Sequence, residues 1–297
     1  MRALARIALP AALLFLCACS ASKHRAPASA AAAASANTLA QAPAVADSAQ
    51  LAKLEDLLQG FYYALLPESV EVKVQECESL MMASSDSLLR NWIGQKIMEH
   101  YMEPPLMGEE EVAVVLYEKW YKSGRLAFTD EMQAFGAALF YEYNRQSLLG
   151  MQAPQLQLCD LSGRKAVYPR EGRYSIFFFY DAACAKCKAL SAALPDVLKD
   201  LPCEMDFYAV YCGSDRQAWE EFASRFLLSE PKVKLFHLSD FEMESGYPLK
   251  YAVSATPRLF FIGNDGSILG RRLDSESLKQ IIDIIRLYYG QVEEQKG

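Results

Sequence analysis

The pattern of apolar positions changes near residue 149 and predicts two domains of different class. Between residues 47 and 148, apolar side chains recur at every third or fourth position, which is the period of an amphipathic helix. Between residues 150 and 290, short apolar runs alternate with helical sets, as is typical of an α/β domain. We therefore predict a small all-α domain at 47–148, followed by an α/β domain at 150–290. The helical sets of the first domain are Leu51, Leu54, Leu57, Leu58, Phe61 and Leu65; Val112, Val115, Leu116 and Trp120; and Met132, Phe135, Leu139 and Tyr143.

The α/β region has one continuous apolar run, Tyr174–Tyr180, as expected of a central strand buried on both faces. Pro195 should kink or shorten the helix predicted at 184–198. The segment NDG at 264–266 predicts a tight hairpin turn. Other strands are predicted at 156–159, 166–168, 206–211, 259–262 and 267–269, and other helices at 216–227 and over the apolar set that ends at Tyr288.

Residues 1–18 have the pattern of a secretion signal. A short basic start is followed by an apolar stretch at 7–16, which is too short to span a bilayer as a helix. The segment LCAC at 16–19 resembles a bacterial lipobox, and this resemblance implies cleavage after Ala18 and acylation of Cys19. An ordinary secretory signal with two incidental cysteines is the alternative.

Residues 19–46 are rich in Ala and Ser and have no apolar period, so we interpret them as a tether. With an acylated Cys19, the protein should be anchored to the lipid bilayer of the cell envelope. Ser20 after the lipid-bearing cysteine is compatible with sorting to the outer membrane. We therefore expect a lipid-anchored protein on the outer membrane, facing the periplasm.

Charge and composition remove one class of partner. The chain has 297 residues, is 52% hydrophobic and carries a formal net charge of −7. An acidic chain without a Lys/Arg cluster binds nucleic acid poorly, because neutralising phosphates needs concentrated positive charge. We therefore expect no nucleic-acid partner.

The segment CAKC at 184–187 follows the buried run and begins a predicted helix. The first turn of a helix has unpaired N–H groups and a partial positive charge, which favour a thiolate at Cys184. Lys186 favours the thiolate and Asp181 opposes it, so the sequence leaves the net pKa open. One helical turn brings Cys187 within bonding distance, where it can attack a mixed disulfide.

A lone CxxC motif also occurs in zinc sites, which need about four ligands. The sequence has no second CxxC and no closely spaced His pair, so we predict no metal and no cofactor other than a redox-active Cys184–Cys187 disulfide. The remaining cysteines of the two domains are expected to be small buried residues, with a disulfide between two of them left open. They are Cys77, Cys159, Cys203 and Cys212.

Thr256-Pro257 stands just before a predicted strand and resembles the cis-proline loop of thioredoxin-fold proteins. With it, residues 152–288 resemble the TlpA/ResA-type thioredoxin-like domain. The resemblance implies a central mixed sheet flanked by helices, with Cys184 attacking, Cys187 resolving, and Thr256 and Pro257 binding substrate. Its implied partners are exported protein thiols and disulfides and a membrane reductant. The matching segments are APQLQLCDLSGRK, IFFFYDAACAKC, AVYCGSDRQAWEEF and VSATPRLFFIGNDGSIL.

The sequence departs from that family at three positions. Ala183 replaces a frequent Trp, and Phe178 and Leu190 stand where acids assist proton transfer at the resolving thiol. Glu204, Asp206 and Lys186 are therefore candidates for that task. The missing acids also motivate an alternative, a redox-inactive binding or scaffold lipoprotein. A thiol peroxidase is a further alternative, although Asp181 stands where peroxiredoxins have Thr.

Overall fold

A computed structural model describes residues 48–294, which form parts of two compact units. The first unit contains the described residues up to Pro104 together with Glu111–Phe140, and the second contains Pro105–Glu110 and the chain from Tyr141 onward. The sequence prediction assigns residues 105–110 and 141–148 to the helical domain, but the structure groups them with the second unit. The predicted signal peptide, the tether and Cys19 lie outside the described residues. Within 48–294, no helix is both long and apolar enough to cross a bilayer.

The first unit is helical, and short polar residues start two of its helices. The Ser69 side chain accepts the backbone N–H of Val72 at 3.4 Å, and the Asp86 carboxylate accepts that of Leu88 at 2.8 Å. The helices, including the last one that runs into the second unit, are α1 (Ser48–Leu65), α2 (Val70–Met82), α3 (Ser87–Met102), α4 (Glu110–Leu116), continued by a π-helical turn (Tyr117–Tyr121), and α5 (Glu131–Asn144).

The three predicted helical sets differ in burial. Leu54, Leu58 and Phe61 are buried in the core of the unit. In α5, however, Met132 is 74% exposed and Phe135 is 63% exposed. Helical spacing of apolar residues therefore predicts the helix here, but it does not predict which face is covered.

The second unit is built on one seven-stranded mixed sheet of order β2-β1-β5-β4-β3-β6-β7. Strand β3 is parallel to β4 and antiparallel to β6. The predicted central sheet flanked by helices is confirmed. The elements are β1 (Leu156–Asp160), β2 (Lys165–Tyr168), β3 (Tyr174–Tyr180), α6 (Ala185–Val197), β4 (Met205–Tyr211), α7 (Arg216–Arg225), β5 (Val233–Ser239), α8 (Tyr247–Lys250), β6 (Arg258–Ile262), β7 (Ile268–Arg271) and α9 (Ser275–Glu294).

Strand β3 separates two apolar cores, because its successive side chains point to opposite faces. Phe178 and Tyr180 pack on one side with α6, α7 and α9. Phe177 and Phe179 pack on the other side with residues around α8. The continuous apolar run is thus explained by burial on both faces.

Strand β5 and the short helix α8 are absent from the sequence prediction. Strand β5 contains Lys234 and His237, and most of its residues are only half-buried, so it lacks a continuous apolar run. Its position comes from pairing in parallel with β4. Tertiary pairing, rather than a local pattern, forms this strand.

Candidate active site

Cys184 is the N-cap residue of α6, directly after the loop that leaves β3. Its sulfur accepts the backbone N–H of Cys187 at 3.2 Å. The loop is shaped by Asp181, whose carboxylate accepts the N–H of Ala183 at 2.7 Å and whose carbonyl accepts the N–H of Cys184 at 3.2 Å. A short aspartate turn therefore delivers the first cysteine to the end of the helix.

The Cys184 thiol is the more acidic of the pair. Burial opposes its ionisation, but hydrogen bonds from the Cys187 side chain and N–H, from the Thr256 side chain and from the Lys186 N–H outweigh it. The pKa of Cys184 therefore lies below its ordinary value. The contribution of Lys186 seen here comes from its backbone, while its side chain is exposed. Cys184 as a residue is half-buried.

Cys187 lies one turn along α6 and is buried. Burial, together with the hydrogen bond that its thiol shares with Cys184, raises the pKa of Cys187 to about 11. At neutral pH the buried sulfur therefore stays protonated, while its neighbour ionises more readily. The two thiols of the CAKC segment are chemically unlike, as an attacking and a resolving thiol need to be.

The loop before β6 meets the dithiol. The peptide bond between Thr256 and Pro257 is cis, and the Thr256 carbonyl oxygen lies 3.6 Å from the Cys184 sulfur. Pairing of Arg258 with Phe179 holds the start of β6 beside the end of β3. The structure thus brings Cys184, Cys187, Thr256 and Pro257 together.

Glu204 and Asp206, two of the three residues considered for proton transfer, lie far from the dithiol. Asp206 accepts hydrogen bonds from Arg170 at 2.6 Å and Arg173 at 3.0 Å, and Arg173 also bonds Glu204 at 3.0 Å. Asp206 pairs with Ser175 near the start of β3, about 17 Å along the strand from its end. The expectation for Glu204 and Asp206 is therefore wrong, since the sequence does not show that β4 runs parallel to β3 and so starts at the end far from Cys184.

A third thiol lies close to the dithiol loop. Cys212 follows β4, and its N–H donates to the Tyr180 carbonyl at 2.8 Å, which places it beside Asp181. Burial raises the pKa of Cys212 to about 12. Its position directly after the apolar run of β4 is the sequence signal that could have placed it here.

The six described cysteines are all free thiols. The disulfide left open among Cys77, Cys159, Cys203 and Cys212 is therefore absent from the described residues. In the same part of the chain, no three His, Cys, Asp or Glu side chains are grouped as metal ligands.

Comparison with solved structures identifies the fold. The chain is similar to a thioredoxin-like protein from Bacteroides caccae, with a TM-score of 0.63 and 14% identity over 79% of this chain and 84% of that one. A domain of a possible thiol-disulfide isomerase from Cytophaga hutchinsonii matches at 24% identity and TM-score 0.41, over 51% of this chain and 99% of that one. The thioredoxin domain of a Bacteroides vulgatus thiol-disulfide oxidoreductase matches at 18% identity and TM-score 0.39, over 46% and 96%. No family model and no curated protein matches the sequence. The first of these likenesses confirms the predicted thioredoxin-like fold.

Proposed function

We propose that this protein exchanges disulfides with exported proteins through Cys184 and Cys187. The observation that carries the proposal is the pairing of the half-buried Cys184 with the buried Cys187 one helical turn away, with the Cys184 sulfur 3.2 Å from the Cys187 N–H and 3.6 Å from the Thr256 carbonyl. The lowered pKa of Cys184 and the raised pKa of Cys187 agree with it. A thiolate is the nucleophile in such exchange, and a protonated neighbour is kept for the second step. The arrangement therefore fits a two-step transfer.

In the reducing direction, the Cys184 thiolate attacks one sulfur of a substrate disulfide. A mixed disulfide forms, and the other substrate sulfur leaves as a thiolate that takes up a proton. Cys187 then attacks the Cys184 sulfur, its proton passes to solvent, and the first substrate sulfur is released as a thiolate that takes up a proton from solvent. Two electrons pass from the dithiol to the substrate, and a membrane thiol reductant returns the Cys184–Cys187 disulfide to the dithiol.

The proposed location rests on the sequence of residues 1–46. The signal-like start and the LCAC segment support acylation of Cys19, and the Ala/Ser-rich tether supports a globular part held away from the bilayer. A Cys19→Ala variant should therefore leave the membrane fraction. If it stays there, or if the wild type is recovered from the cytoplasm, the proposed location is wrong.

The function is tested by trapping. A Cys187→Ala variant keeps the attacking thiol but loses the resolving thiol, so mixed disulfides on Cys184 should accumulate in cells and separate under reducing electrophoresis. The matched control is Cys212→Ala, which removes a neighbouring thiol and should trap nothing. Full cellular function in a Cys184→Ser, Cys187→Ser double variant would instead support the scaffold alternative.

The direction of exchange follows from the reduction potential of the pair. Thioredoxin lies at about −270 mV and the oxidant DsbA at about −120 mV. A value near the first would make this dithiol a reductase, and a value near the second would make it an oxidant. Redox titration of the purified protein against glutathione and dithiothreitol measures it.

A further inference from the structure

The second step of the proposed exchange removes a proton from a buried sulfur. Cys187 is fully buried, and burial raises the pKa of its thiol to about 11. Hydrogen bonds from the Asp181 backbone and the Thr256 side chain lower that pKa, but burial outweighs them. Cys184 gives no further help, because its sulfur carries no proton once it is bound in the mixed disulfide. A further donor in the core around Cys187 would therefore speed this step.

The hydroxyl of Tyr180 is a buried donor that the surrounding protein does not use. Tyr180 is the last residue of β3, directly before the loop that leads to Cys184, and it is fully buried. Its hydroxyl makes no hydrogen bond within residues 48–294. An unpaired buried hydroxyl is destabilising, so its presence at the end of a strand of apolar residues asks for a cause outside folding.

Three titratable side chains act on this hydroxyl. Burial is the main cause that raises the pKa of Tyr180, and the charges of Tyr211, Cys212 and Cys187 add to it. Tyr211 and Cys212 gain no charge in the proposed exchange, and Cys212 packs against the core on the other face of the sheet. Cys187 packs in the same core as Tyr180. Among the three, it is thus Cys187 that both shares this core and becomes an anion during the reaction.

Ring contacts fix the Tyr180 side chain at the end of the strand. Its ring lies 4.2 Å from that of Phe222 on α7, 5.2 Å from that of Phe178 on β3 and 5.6 Å from that of Tyr211 on β4. A side chain packed on three sides keeps its position, while its hydroxyl proton still turns about the C–O bond. A donor that is held in place before charge forms stabilises that charge without reorganisation.

We propose that the Tyr180 hydroxyl donates a hydrogen bond to the Cys187 sulfur when that thiol loses its proton. A thiol sulfur is a weak acceptor, whereas a thiolate is a strong one, so the bond belongs to the second step alone. The proton of Cys187 passes to solvent, and Tyr180 stays neutral throughout. The inference rests on the proposed disulfide exchange and adds a residue that serves its resolving step.

A Tyr180→Phe variant tests the donor, because it removes the hydroxyl and keeps the ring. The probe is dithiobis(nitrobenzoate), which releases one coloured thiolate when Cys184 attacks it and a second when Cys187 resolves the mixed disulfide. The rate of the first release should stay at the wild-type value, while the rate of the second should fall by at least about tenfold. Urea unfolding should show that the variant is at least as stable as the wild type, since the hydroxyl it loses is unpaired.

The pH dependence of the second release separates a donor from a packing residue. In the mixed disulfide, the apparent pKa of Cys187 should be higher in Tyr180→Phe than in the wild type, because losing a donor disfavours the thiolate. The matched control is Tyr174→Phe, the same change at the amino end of β3 beside the same core, which should leave both rates and this pKa unchanged. In all proteins compared, the other partly exposed thiols are replaced by alanine; they are Cys159, Cys203 and Cys212.

Two outcomes would overturn the role of Tyr180 and leave disulfide exchange standing. One is an unchanged second release with an unchanged pKa of Cys187. The other is equal slowing of both releases without a change in that pKa, which would show that the position of the ring matters and the hydroxyl does not. If the wild type releases only the first thiolate, the proposed exchange itself fails, and the role of Tyr180 fails with it.

Discussion

The two ends of strand β3 lie beside two different clusters of titratable groups. Near its amino end, the buried Asp206 carboxylate accepts hydrogen bonds from Arg170, Arg173 and Tyr208. At its carboxyl end, Cys184 is only half-buried, and its sulfur accepts the N–H of Cys187. A buried charge whose acceptor sites are filled is held in place, whereas an accessible sulfur of lowered pKa can form a bond. Burial of a titratable group therefore does not mark a reactive site, whereas partial exposure of a thiol with a lowered pKa does.

Replacing Cys184 with serine should give the largest effect, because it should abolish disulfide reduction and leave the stability of the fold unchanged. Serine is a good N-cap residue, so α6 should persist, but its hydroxyl is not ionised at neutral pH. Reduction of insulin should fall to the uncatalysed rate, while the free energy of unfolding changes by no more than about 0.5 kcal/mol. Turbidity of precipitating insulin measures the first quantity, and urea unfolding measures the second. Activity that survives in this variant would contradict the assignment.

Replacing Asp206 with alanine should lower the unfolding free energy and leave disulfide reduction unchanged. Arg170 and Arg173 would lose their shared buried partner, and removing one member of a buried ion pair costs about 3–5 kcal/mol of unfolding free energy. Insulin reduction by the folded fraction should stay at the wild-type rate. The control is Asp283→Ala, which removes an exposed pair with Arg286 and should cost less than about 1 kcal/mol. Equal losses in the two variants would mean that burial of the pair does not matter.

Low pH should lower the unfolding free energy by protonating the Asp206 carboxylate. Burial opposes ionisation of this carboxyl, but hydrogen bonds from Arg170 and Tyr208 hold its pKa below the ordinary value of 3.8. A depressed folded pKa stabilises the protein above the unfolded pKa, and this stabilisation is lost as pH falls through the folded pKa. Between about pH 5 and about pH 2, the unfolding free energy should therefore fall more steeply in the wild type than in Asp206→Ala. Parallel curves would rule out this contribution.

The smallest expected effect is a change in the pKa of Cys184 when Cys187 is replaced. In the wild type, alkylation of Cys184 by iodoacetamide should have a midpoint below pH 9.0, the ordinary value for a thiol. In Cys187→Ala the side-chain donor is lost while the backbone N–H remains, so the midpoint should move upward. Mass spectrometry of the alkylated peptide gives the rate at each pH. A downward movement would show that the buried thiol does not stabilise the thiolate.

Much of the fold and part of the site follow from local sequence. The apolar run at Tyr174–Tyr180 predicts a strand buried on both faces, and the structure has it with those bounds. The NDG turn joins β6 to β7 as expected. The strand β5 and the exposed face of α5 could not be predicted in this way. Strand β5 depends on pairing with β4. Phe135 of α5 has the helical spacing of a buried residue, but it is exposed.

The sequence by itself determined the position of the Cys184 sulfur, because a residue that caps a helix directly after a buried strand is placed by its immediate neighbours. Cys184 at the start of α6 and Cys187 one turn later needed nothing more distant. Only the tertiary structure decided that the Thr256 carbonyl lies 3.6 Å from the Cys184 sulfur and that Asp206 lies near the opposite end of strand β3. Each of these contacts joins segments that are far apart in the chain. The distances between such segments depend on strand order and packing, which the local pattern of apolar residues does not predict.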